Sequence, residues 1–438
     1  MRGSKALVAA IVTFVALGTA CSEPTKGTTA KGSTAATNAG GASAECASAA
    51  SIVECAPPGS MLAPYLPKRP TKAAGTPIAI GTINQDTGAA GAFPELTVAD
   101  KVAVDFINAE LNGVDGHPIE LVTCNTNFSP DLSQRCAQDM VSKRVPAVIG
   151  GIDIWGTGIK TLENNSIQYV GGIPVSFDAA RSKVSFQFSG GTWGAVLGMG
   201  QYAMDKLDAR KITIIYGDFG PITDSAELGK TALEKRGAKV TLLSVSPVNA
   251  DMVAALNQAA QGKPDVVIAL TADSGCKPTM LTAQQIGFKA PILFTGACAA
   301  TKILDAVGDA AEGSIFNLEA ELDPGNPDNA LYRAIAERYG PKYDYEWQGA
   351  GTVSFRAVIN LYAVLRDLGY SKITPAAVLK RLRGAHNAPS FFGHPYTCDG
   401  KQLQGYPALC APQQTLGVLE NGSIKQLTDW IDVGKLVG

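Results

Sequence analysis

The sequence predicts an α/β protein of two doubly wound, parallel-sheet lobes, and three observations lead to that prediction. A chain of 438 residues is too long for one hydrophobic core. Short buried strands alternate with amphipathic helices, which is typical of parallel sheets with right-handed crossovers. The alternation runs through two successive series, which meet near Phe186–Gly190. We therefore expect two half-proteins of similar design.

The stretch from Pro146 to Thr157 shows the repeating unit most clearly. A buried strand is followed by Gly150 and Gly151 and then by a helix start. We expect the two glycines to turn the chain sharply through positive φ, which only glycine adopts without a Cβ clash. Such turns lie at the carboxyl ends of parallel strands, where open sheets bind ligands. The stretch is predicted to be one wall of a binding cleft, and the alternative is a connecting loop with a half-exposed Trp155.

The first series begins at Pro77. Its first helix is predicted from apolar residues at three- and four-residue steps, such as Val98, Val102 and Phe106. Its second helix has Ser129 placed to cap it and Pro130 at its first position. The predicted strands are 77–84, 117–124, 146–149 and 167–172, and the predicted helices are 95–111, 130–143 and 157–165.

The second series repeats the pattern, and from Asn326 the chain is predicted to be mainly helical. The predicted strands are 211–216, 239–245, 265–271 and 291–295, and the predicted helices are 193–207, 224–236, 251–261, 277–286, 329–339, 347–368 and 375–383.

Composition excludes several classes of function. The formal charge is −2 and charged residues are 17% of the chain, so nucleic-acid binding has little support. The three histidines have no partners at zinc-ligand spacing, so no metal site is expected. No phosphate-binding glycine motif or serine nucleophile elbow is present, and Asp323 and Asp328 lie beside Pro and Gly in a predicted loop. We expect neither catalysis nor a cofactor.

Residues 1–21 are predicted to be an export signal. Arg2 and Lys5 precede an apolar run from Ala6 to Leu17, which as a helix would span about 18 Å, too short for a membrane core of about 30 Å. The following Leu17-Gly-Thr-Ala-Cys21 resembles the lipobox of bacterial lipoproteins, although Gly18 stands where that motif usually has Leu. The resemblance implies lipid on Cys21 and an extracytoplasmic protein anchored to the outer face of the cell membrane. The alternative is ordinary secretion.

Export makes disulfide bonds the natural state of the remaining eight cysteines. They fall into local pairs that need the least rearrangement of the chain: Cys46 with Cys55, Cys124 with Cys136, Cys276 with Cys298, and Cys398 with Cys410. Sequence alone does not fix the connectivity. We expect Cys276 and Cys298 to lie close to the cleft, because each follows the end of a predicted parallel strand.

Residues 22–76 are predicted to be a flexible tether. The segment is rich in Ala, Ser, Thr, Gly and Pro and has almost no aromatic residue. The Cys46 and Cys55 pair and Tyr65–Pro67 suggest that its second half is partly pinned.

From residue 77 onward the chain resembles the type I periplasmic binding proteins, in particular the leucine/isoleucine/valine-binding protein family of ABC-transporter substrate-binding proteins. The order and spacing of several short motifs carry the resemblance: Ala79-Ile-Gly-Thr-Ile-Asn, Ala103-Val-Asp-Phe-Ile-Asn-Ala, Gly116-His-Pro-Ile-Glu-Leu, Val148-Ile-Gly-Gly, Ile212-Thr-Ile-Ile-Tyr-Gly, Val266-Val-Ile-Ala-Leu, Ile286-Gly-Phe and Ala311-Glu-Gly-Ser-Ile-Phe. The resemblance implies two lobes joined by a three-strand hinge. The expected domains are 77–188 plus 320–400 for lobe 1 and 189–319 plus 401–438 for lobe 2.

The ligand residues of the resembled family are only partly present. That family holds a substrate carboxylate with a small hydroxyl residue after the third strand, where this chain has Ile154. It holds the ammonium group with an acidic residue in the second lobe, where this chain has Thr295-Gly-Ala297-Cys298. A buried ammonium group without a carboxylate costs several kcal/mol, so an α-amino acid is disfavoured unless Asp153 or Asp218 substitutes.

The aromatic residues Phe93, Trp155 and Trp347 predict a largely neutral cleft for an aromatic or apolar molecule, and the alternative is that they only pack between helices. The expected ligand is an amino-acid-like, aromatic or amide compound and not a standard branched-chain amino acid. The candidate ligand-binding residues are Phe93, Asp153, Ile154, Trp155, Ile173, Pro174, Tyr216, Phe219, Ala297, Trp347 and Gln348.

The resemblance also implies a partner and a mode of action. We expect a monomer that captures its ligand between the lobes and delivers it to the permease of an ABC importer. The membrane is expected to be contacted only through the lipid anchor. The alternative is a ligand-sensing ectodomain that works with a separate signalling partner.

Overall fold

The computed structural model describes Cys46 and residues 49–323 and 325–437, and of Asp273 only the backbone. The expected signal segment, Cys21 and the start of the tether lie outside the described residues. No helix in the described part is long and apolar enough to cross a membrane.

The first series forms strands and helices close to the predicted positions. Ser129 caps the second long helix by accepting a hydrogen bond from the backbone N–H of Leu132, as the sequence predicts. The helices are α1 (Ile52–Cys55), α2 (Pro94–Glu110), α3 (Pro130–Ser142), α4 (Ile159–Asn164) and α5 (Phe177–Arg181), and the strands are β1 (Ile78–Asn84), β2 (Ile119–Asn125), β3 (Ala147–Gly150), β4 (Gln168–Val170) and β5 (Ser185–Phe186).

The second series alternates in the same way. Its helices are α6 (Gly191–Lys206), α7 (Gly220–Lys235), α8 (Met252–Gly262), α9 (Asp273–Gln285) and α10 (Thr301–Val307), and its strands are β6 (Lys211–Gly217), β7 (Lys239–Val245), β8 (Val266–Leu270), β9 (Ile292–Phe294) and β10 (Ile315–Asn317).

The C-terminal part adds three helices and a hairpin. The helices are α11 (Pro327–Tyr339), α12 (Gly351–Leu368) and α13 (Pro375–Arg383), and the strands are β11 (Leu416–Glu420) and β12 (Ser423–Gln426). Short 3₁₀ turns lie at Ala63–Tyr65, Gly296–Ala299, Gly308–Ala311, Gly340–Tyr343, Tyr370–Lys372 and Val433–Leu436. The prediction of a mainly helical end missed the hairpin, whose first strand, Leu416–Glu420, is too short to give a distinctive pattern.

The strands form two sheets, and the predicted α/β fold with two parallel-rich lobes is confirmed. The first lobe has the strand order β2-β1-β3-β4-β5, all parallel. The second has the order β12-β11-β10-β9-β8-β6-β7, in which β11 is antiparallel to both β10 and β12 and the other pairs are parallel. In the first lobe, α2, α11 and α12 pack around a core that includes Phe106, Tyr332 and Phe355. In the second, the core is built on α6 with Trp193 fully buried.

A buried polar cluster joins the segments that cross between the lobes. The carboxylate of Glu319 accepts hydrogen bonds from the backbone N–H of Gly190, at 2.8 Å, and from the side chain of Gln414. The guanidinium group of Arg356 on α12 donates to the carbonyl oxygens of Phe188 and Glu319. Burial raises the pKa of Glu319, and the positive charge of Arg356 opposes that shift. One carboxylate and one guanidinium group therefore tie all three crossing segments together.

Residues 49–76, the second half of the predicted tether, pack against the first lobe. Ile52 and Leu62 are fully buried in the first-lobe core. Ser60 and the backbone N–H of Met61 donate to the carboxylate of Asp328 on α11, at 2.6 and 2.8 Å. Two bulky apolar residues and a local disulfide thus hold a segment whose average hydrophobicity is low, and the sequence indicated such partial pinning through Cys46, Cys55 and Tyr65–Pro67.

All four predicted disulfides are confirmed: Cys46–Cys55, Cys124–Cys136, Cys276–Cys298 and Cys398–Cys410. Cys124–Cys136 ties the end of β2 to α3, and Cys276–Cys298 ties α9 to the turn after β9.

Gly150 and Gly151 are required for a different reason from the predicted one. Neither has positive φ, so the expectation of a left-handed turn at these residues is wrong. A Cβ on Gly150 would lie 2.4 Å from the ring of Tyr169, and one on Gly151 would lie 2.3 Å from Oδ1 of Asn84. The glycines therefore let the chain pass close to two side chains.

Candidate functional site

A cavity of about 280 Å³ lies between the two lobes. Part of its wall consists of residues that follow the carboxyl ends of parallel strands in both sheets, as expected for open α/β sheets. These residues include Ile152 and Ile154 after β3, Ile173 after β4, Phe219 after β6, Thr271 and Ala272 after β8, Gly296 and Ala297 after β9, and Leu318 after β10. The volume is near the lower end of the range of roughly 300–1,000 Å³ that is usual for small-molecule pockets.

The cavity wall is mainly apolar and is shared by the two lobes. From the first lobe, buried Phe93, Ile152 and Val175 form one apolar cluster. From the second lobe, Ile222 and Ala297 pack against it. The lobes thus touch across the cleft, and a molecule in the cavity would contact both.

Seven of the eleven candidate residues line the cavity, and four do not. Those in the wall are Phe93, Ile154, Ile173, Phe219, Ala297, Trp347 and Gln348. Tyr216 lies in the second-lobe core, and the carbonyl group of Pro174 packs against Gly191 where the chain enters the second lobe.

Asp153 serves the first lobe and does not line the cavity. It is 3% exposed, and its carboxylate accepts a 2.6 Å hydrogen bond from the hydroxyl group of Ser133 on α3. Burial raises the pKa of this carboxyl group, and the Ser133 hydrogen bond opposes the shift. The carboxylate is therefore engaged in holding the turn after β3 against α3.

Trp155 lies beside the cavity, in a group of three aromatic rings that we call the aromatic rim. Its ring centroid is 5.1 Å from that of Phe219 in the second lobe, edge to face, and 5.7 Å from that of Phe128 in the first. The indole N–H donates to the carbonyl oxygen of Phe128 at 3.0 Å. Phe128 and Phe219 line the cavity themselves. The rim therefore joins the two lobes at the edge of the cleft.

Asn84, at the end of β1, positions two parts of the first-lobe wall. Its side-chain amide donates to the carbonyl oxygen of Phe93 at 2.7 Å and accepts from the backbone N–H of Ile152 at 2.9 Å. It also donates to Asp86 and Thr97, and it is fully buried. Because both the oxygen and the nitrogen of the Asn84 amide form hydrogen bonds, this side chain holds the wall residues Phe93 and Ile152 in position.

Asn317, at the end of β10, has the corresponding role in the second lobe. Its Oδ1 accepts from the backbone N–H of Gly296 at 2.9 Å, and its amide group donates to Gln414 at 3.1 Å. The adjacent Cys276–Cys298 disulfide holds the same turn to α9. The sequence prediction of this disulfide near the cleft agrees with the wall residues Gly275 and Ala297.

Only two charged side chains line the cavity among those that the structure describes, Glu319 and Arg333. Glu319 is engaged in the crossing cluster described above. The guanidinium carbon of Arg333, on α11, lies 4.2 Å from the centroid of the Trp347 ring. In the described part of the chain, no three His, Cys, Asp or Glu side chains are grouped so that they could hold a metal ion.

Sequence reasoning missed Phe128, Arg333 and Asn84 as residues of the site. Asn127 and Phe128 both have positive φ, which turns Phe128 toward the cleft, and no sequence rule predicts this for Phe. Arg333 lies on a predicted helix, where a charged residue is normally assigned to the solvent face. Asn84 is the last residue of the motif Ala79-Ile-Gly-Thr-Ile-Asn, and its position at a strand end could have identified it as a residue of the site.

The comparisons with known proteins agree with this architecture. A family model described as periplasmic binding protein matches residues 77–407. The leucine-binding protein LivK from Thermotoga maritima superposes with a TM-score of 0.66 at 17% identity, covering 80% of this chain and 98% of that chain. No curated protein matches the sequence significantly.

Two further solved structures have similar folds and different ligands in their descriptions. An ABC-transporter solute-binding protein from R. palustris in complex with benzoate has a TM-score of 0.67 and 16% identity, covering 81% of this chain and 96% of that one. A fatty acid ABC transporter substrate-binding protein from Thermomonospora curvata has a TM-score of 0.68 and 18% identity, covering 84% and 96%. The family match extends over most of the chain, and the two-lobed fold and the interlobe cavity accord with it. The chain belongs to the periplasmic binding protein family and is a non-catalytic, extracytoplasmic solute-binding protein.

Proposed function

We propose that this protein captures a small molecule with an aromatic or apolar body between its lobes and delivers it to the permease of an ABC importer. The observation that carries the proposal is the apolar wall of the interlobe cavity, with Phe93, Ile154 and Phe219 facing it from both lobes. Burial of apolar surface would supply most of the binding free energy, at about 25 cal/mol per Å².

A standard branched-chain amino acid is not the ligand that we expect for this wall. Ile154 and Ala297 both line the cavity at the two positions where charge partners would be needed. The one carboxylate in the described wall, on Glu319, already accepts hydrogen bonds from Gly190 and Gln414. An ammonium group would therefore lose its hydration without a free partner, which costs several kcal/mol.

Lobe closure is the expected mode of action. A ligand that touches both lobes favours the closed arrangement through its higher affinity for that form. The crossing segments near Glu319 would act as the hinge, because they are the covalent links between the two sheets. The permease would then recognise the closed form.

The test is calorimetry of the exported protein with leucine, valine, an aromatic acid and an aromatic amide. We expect binding of an aromatic compound and none of leucine or valine. Tight leucine binding would refute the ligand class, and a ligand affinity that is unchanged in a Trp155→Ala variant would refute the role of the aromatic rim.

We also propose that lipid on Cys21 anchors the protein outside the cell membrane. Replacement of Cys21 by Ala is expected to release the protein into the medium, because the thiol is the site of lipid attachment. Cell fractionation measures this, and a variant that stays as membrane-bound as wild type would exclude the anchor.

A further inference from the structure

Arg333 is a cation held at the cavity without an anion. Its guanidinium group lies over the ring of Trp347 at 4.2 Å, and both residues line the cavity. Arg333 is half-buried, and among the described residues it makes neither an ion pair nor a hydrogen bond. A partly desolvated guanidinium group in a binding cavity normally has an acceptor for its N–H groups.

Asp328, the acidic residue that precedes Arg333 on α11, is already engaged. Asp328 accepts hydrogen bonds from Ser60 and from the backbone N–H groups of Met61 and Phe392. Glu319, the other charged residue of the wall, is held by the crossing cluster. The charge on Arg333 is therefore left for a molecule in the cavity.

The position of Arg333 is fixed before any ligand arrives. The Trp347 carbonyl oxygen accepts a 2.6 Å hydrogen bond from the hydroxyl group of Tyr332, which precedes Arg333 on α11. The contact of the guanidinium group with the indole ring does not use its N–H donors in a hydrogen bond, so they are available. Such a preformed donor set binds a carboxylate with a smaller loss of side-chain entropy.

Gln348 provides a second donor next to this position. It follows Trp347 in the chain and lines the same cavity. No hydrogen bond of its side-chain amide to another described residue is present in the structure. An amide group can donate to a carboxylate oxygen that Arg333 also binds.

We propose that the ligand is an apolar monocarboxylic acid without an α-amino group, and that Arg333 and Gln348 bind its carboxylate while its aromatic or aliphatic body lies against Phe93 and Ile154. This inference rests on the proposed function and adds the charged group of the ligand. It places the carboxylate at α11 and Trp347, on the side of the cavity formed by the C-terminal part of the chain.

The experiment measures the affinity of the mature protein for benzoate against benzamide and for hexanoate against hexanamide. Each pair has nearly the same shape and differs in charge. We expect wild type to prefer the acid, and Arg333→Met to weaken the acid by about 10- to 100-fold and the amide by less than about twofold, since a hydrogen bond to a charged group contributes about 1.5–3 kcal/mol. Arg333→Lys should recover part of the loss. Arg135→Met, on the exposed face of α3 and away from the cavity wall, is the matched control.

The dependence on salt gives an independent readout in wild type. Binding of the acid should weaken as ionic strength rises, because the ion pair is partly exposed, while binding of the amide should not change. This measurement does not depend on how well any variant folds.

The outcomes distinguish the assignment of a ligand carboxylate from the proposed function. Equal affinity for acid and amide, or an acid affinity unchanged in Arg333→Met, would overturn the carboxylate assignment and leave the apolar ligand in place. Binding of leucine with none of the four probes bound would overturn the proposed function as well.

Discussion

The two lobes have the same architecture and bury different kinds of polar group. The first lobe buries four carboxylates, those of Asp100, Glu110, Asp153 and Asp328. In the second lobe, from α6 to β10, the described buried polar side chains are hydroxyl groups and the amide of Asn317, with no carboxylate among them.

The difference gives the lobes different sensitivities to pH. Burial raises the pKa of Asp100, Asp153 and Asp328, because a charged carboxylate loses hydration that its hydrogen bonds only partly replace. Glu110 is the exception, since hydrogen bonds from Ser51 and Tyr339 and the charge of Arg338 outweigh its burial and lower its pKa. We therefore expect the first lobe to lose stability with rising pH and the second lobe to depend mainly on packing and its disulfide.

The largest expected effect is that of Asp100. It lies on α2, fully buried, and accepts hydrogen bonds from Ser354 at 2.7 Å and Thr82 at 3.2 Å. Burial raises its pKa from 3.8 to about 8. The folded state thus binds the proton more tightly than the unfolded state, so this residue's contribution to stability is present below about pH 4 and is lost as pH rises to about 8.

Asp100→Asn should remove this dependence. The free energy of unfolding of Asp100→Asn minus that of wild type should increase by on the order of 5 kcal/mol from pH 4 to pH 8, because a shift of one pKa unit corresponds to about 1.4 kcal/mol. Urea unfolding at several pH values measures it. Asp139→Asn, exposed on α3, is the control and should follow wild type. Parallel pH curves for wild type and Asp100→Asn would show that Asp100 is not the cause.

The next largest effect is expected at Asn84 and Asn317, whose amide groups position the cavity wall in the first and the second lobe. Asn84→Ala would remove four hydrogen bonds from the first lobe, and Asn317→Ala would remove two from the second. We expect a loss of about 4 kcal/mol in the free energy of unfolding for Asn84→Ala and about 2 kcal/mol for Asn317→Ala, because unpaired buried groups cost about 1–3 kcal/mol each and some regain water. Denaturant unfolding of both variants checks the order. A larger loss for Asn317→Ala would contradict it.

Much of the fold and part of the cavity wall could be predicted from the sequence. Strand and helix alternation predicted both sheets, since buried strands are apolar on both faces and helices are apolar on one. Local spacing predicted all four disulfides, because cysteines separated by 9 to 22 residues need little chain rearrangement to meet. The strand-end rule brought Ile154, Phe219 and Ala297 to the cavity.

What the sequence could not reveal is the direction in which individual side chains point. Asp153 and Ile154 are neighbours, yet only Ile154 lines the cavity, while Asp153 bonds to Ser133. Arg333 is placed by its stacking on Trp347, fourteen positions later in the chain, which no local pattern encodes. Such contacts depend on how separate helices and turns meet.

The third prediction compares a disulfide beside the cavity with one away from it. Replacing both Cys276 and Cys298 by Ser should reduce the free energy of unfolding by about 3 kcal/mol, as expected when the unfolded chain loses a constraint on a loop of this length. It should also weaken ligand binding, because the turn with Ala297 is released. Replacing Cys124 and Cys136 should lower the melting temperature with little effect on affinity. Thermal unfolding and calorimetry separate the two, and lost affinity with unchanged melting in the second variant would place that pair in the site.

The smallest expected effect is at the aromatic rim, where the two lobes meet directly. Trp155 is 37% exposed, so its removal should cost the first lobe little, but its edge-to-face contact with Phe219 exists only while the lobes are together. Such a contact contributes about 1 kcal/mol, so Trp155→Ala should open the cleft more readily and speed ligand dissociation by about fivefold. Trp155→Phe keeps an aromatic ring at this position and should stay within about twofold of wild type, which distinguishes the ring contact from the hydrogen bond to Phe128. Stopped-flow dissociation rates measure both variants. If Trp155→Ala lowers the melting temperature while ligand dissociation is unchanged, the aromatic rim stabilises the first lobe alone. The crossing cluster around Glu319 then holds the lobes together.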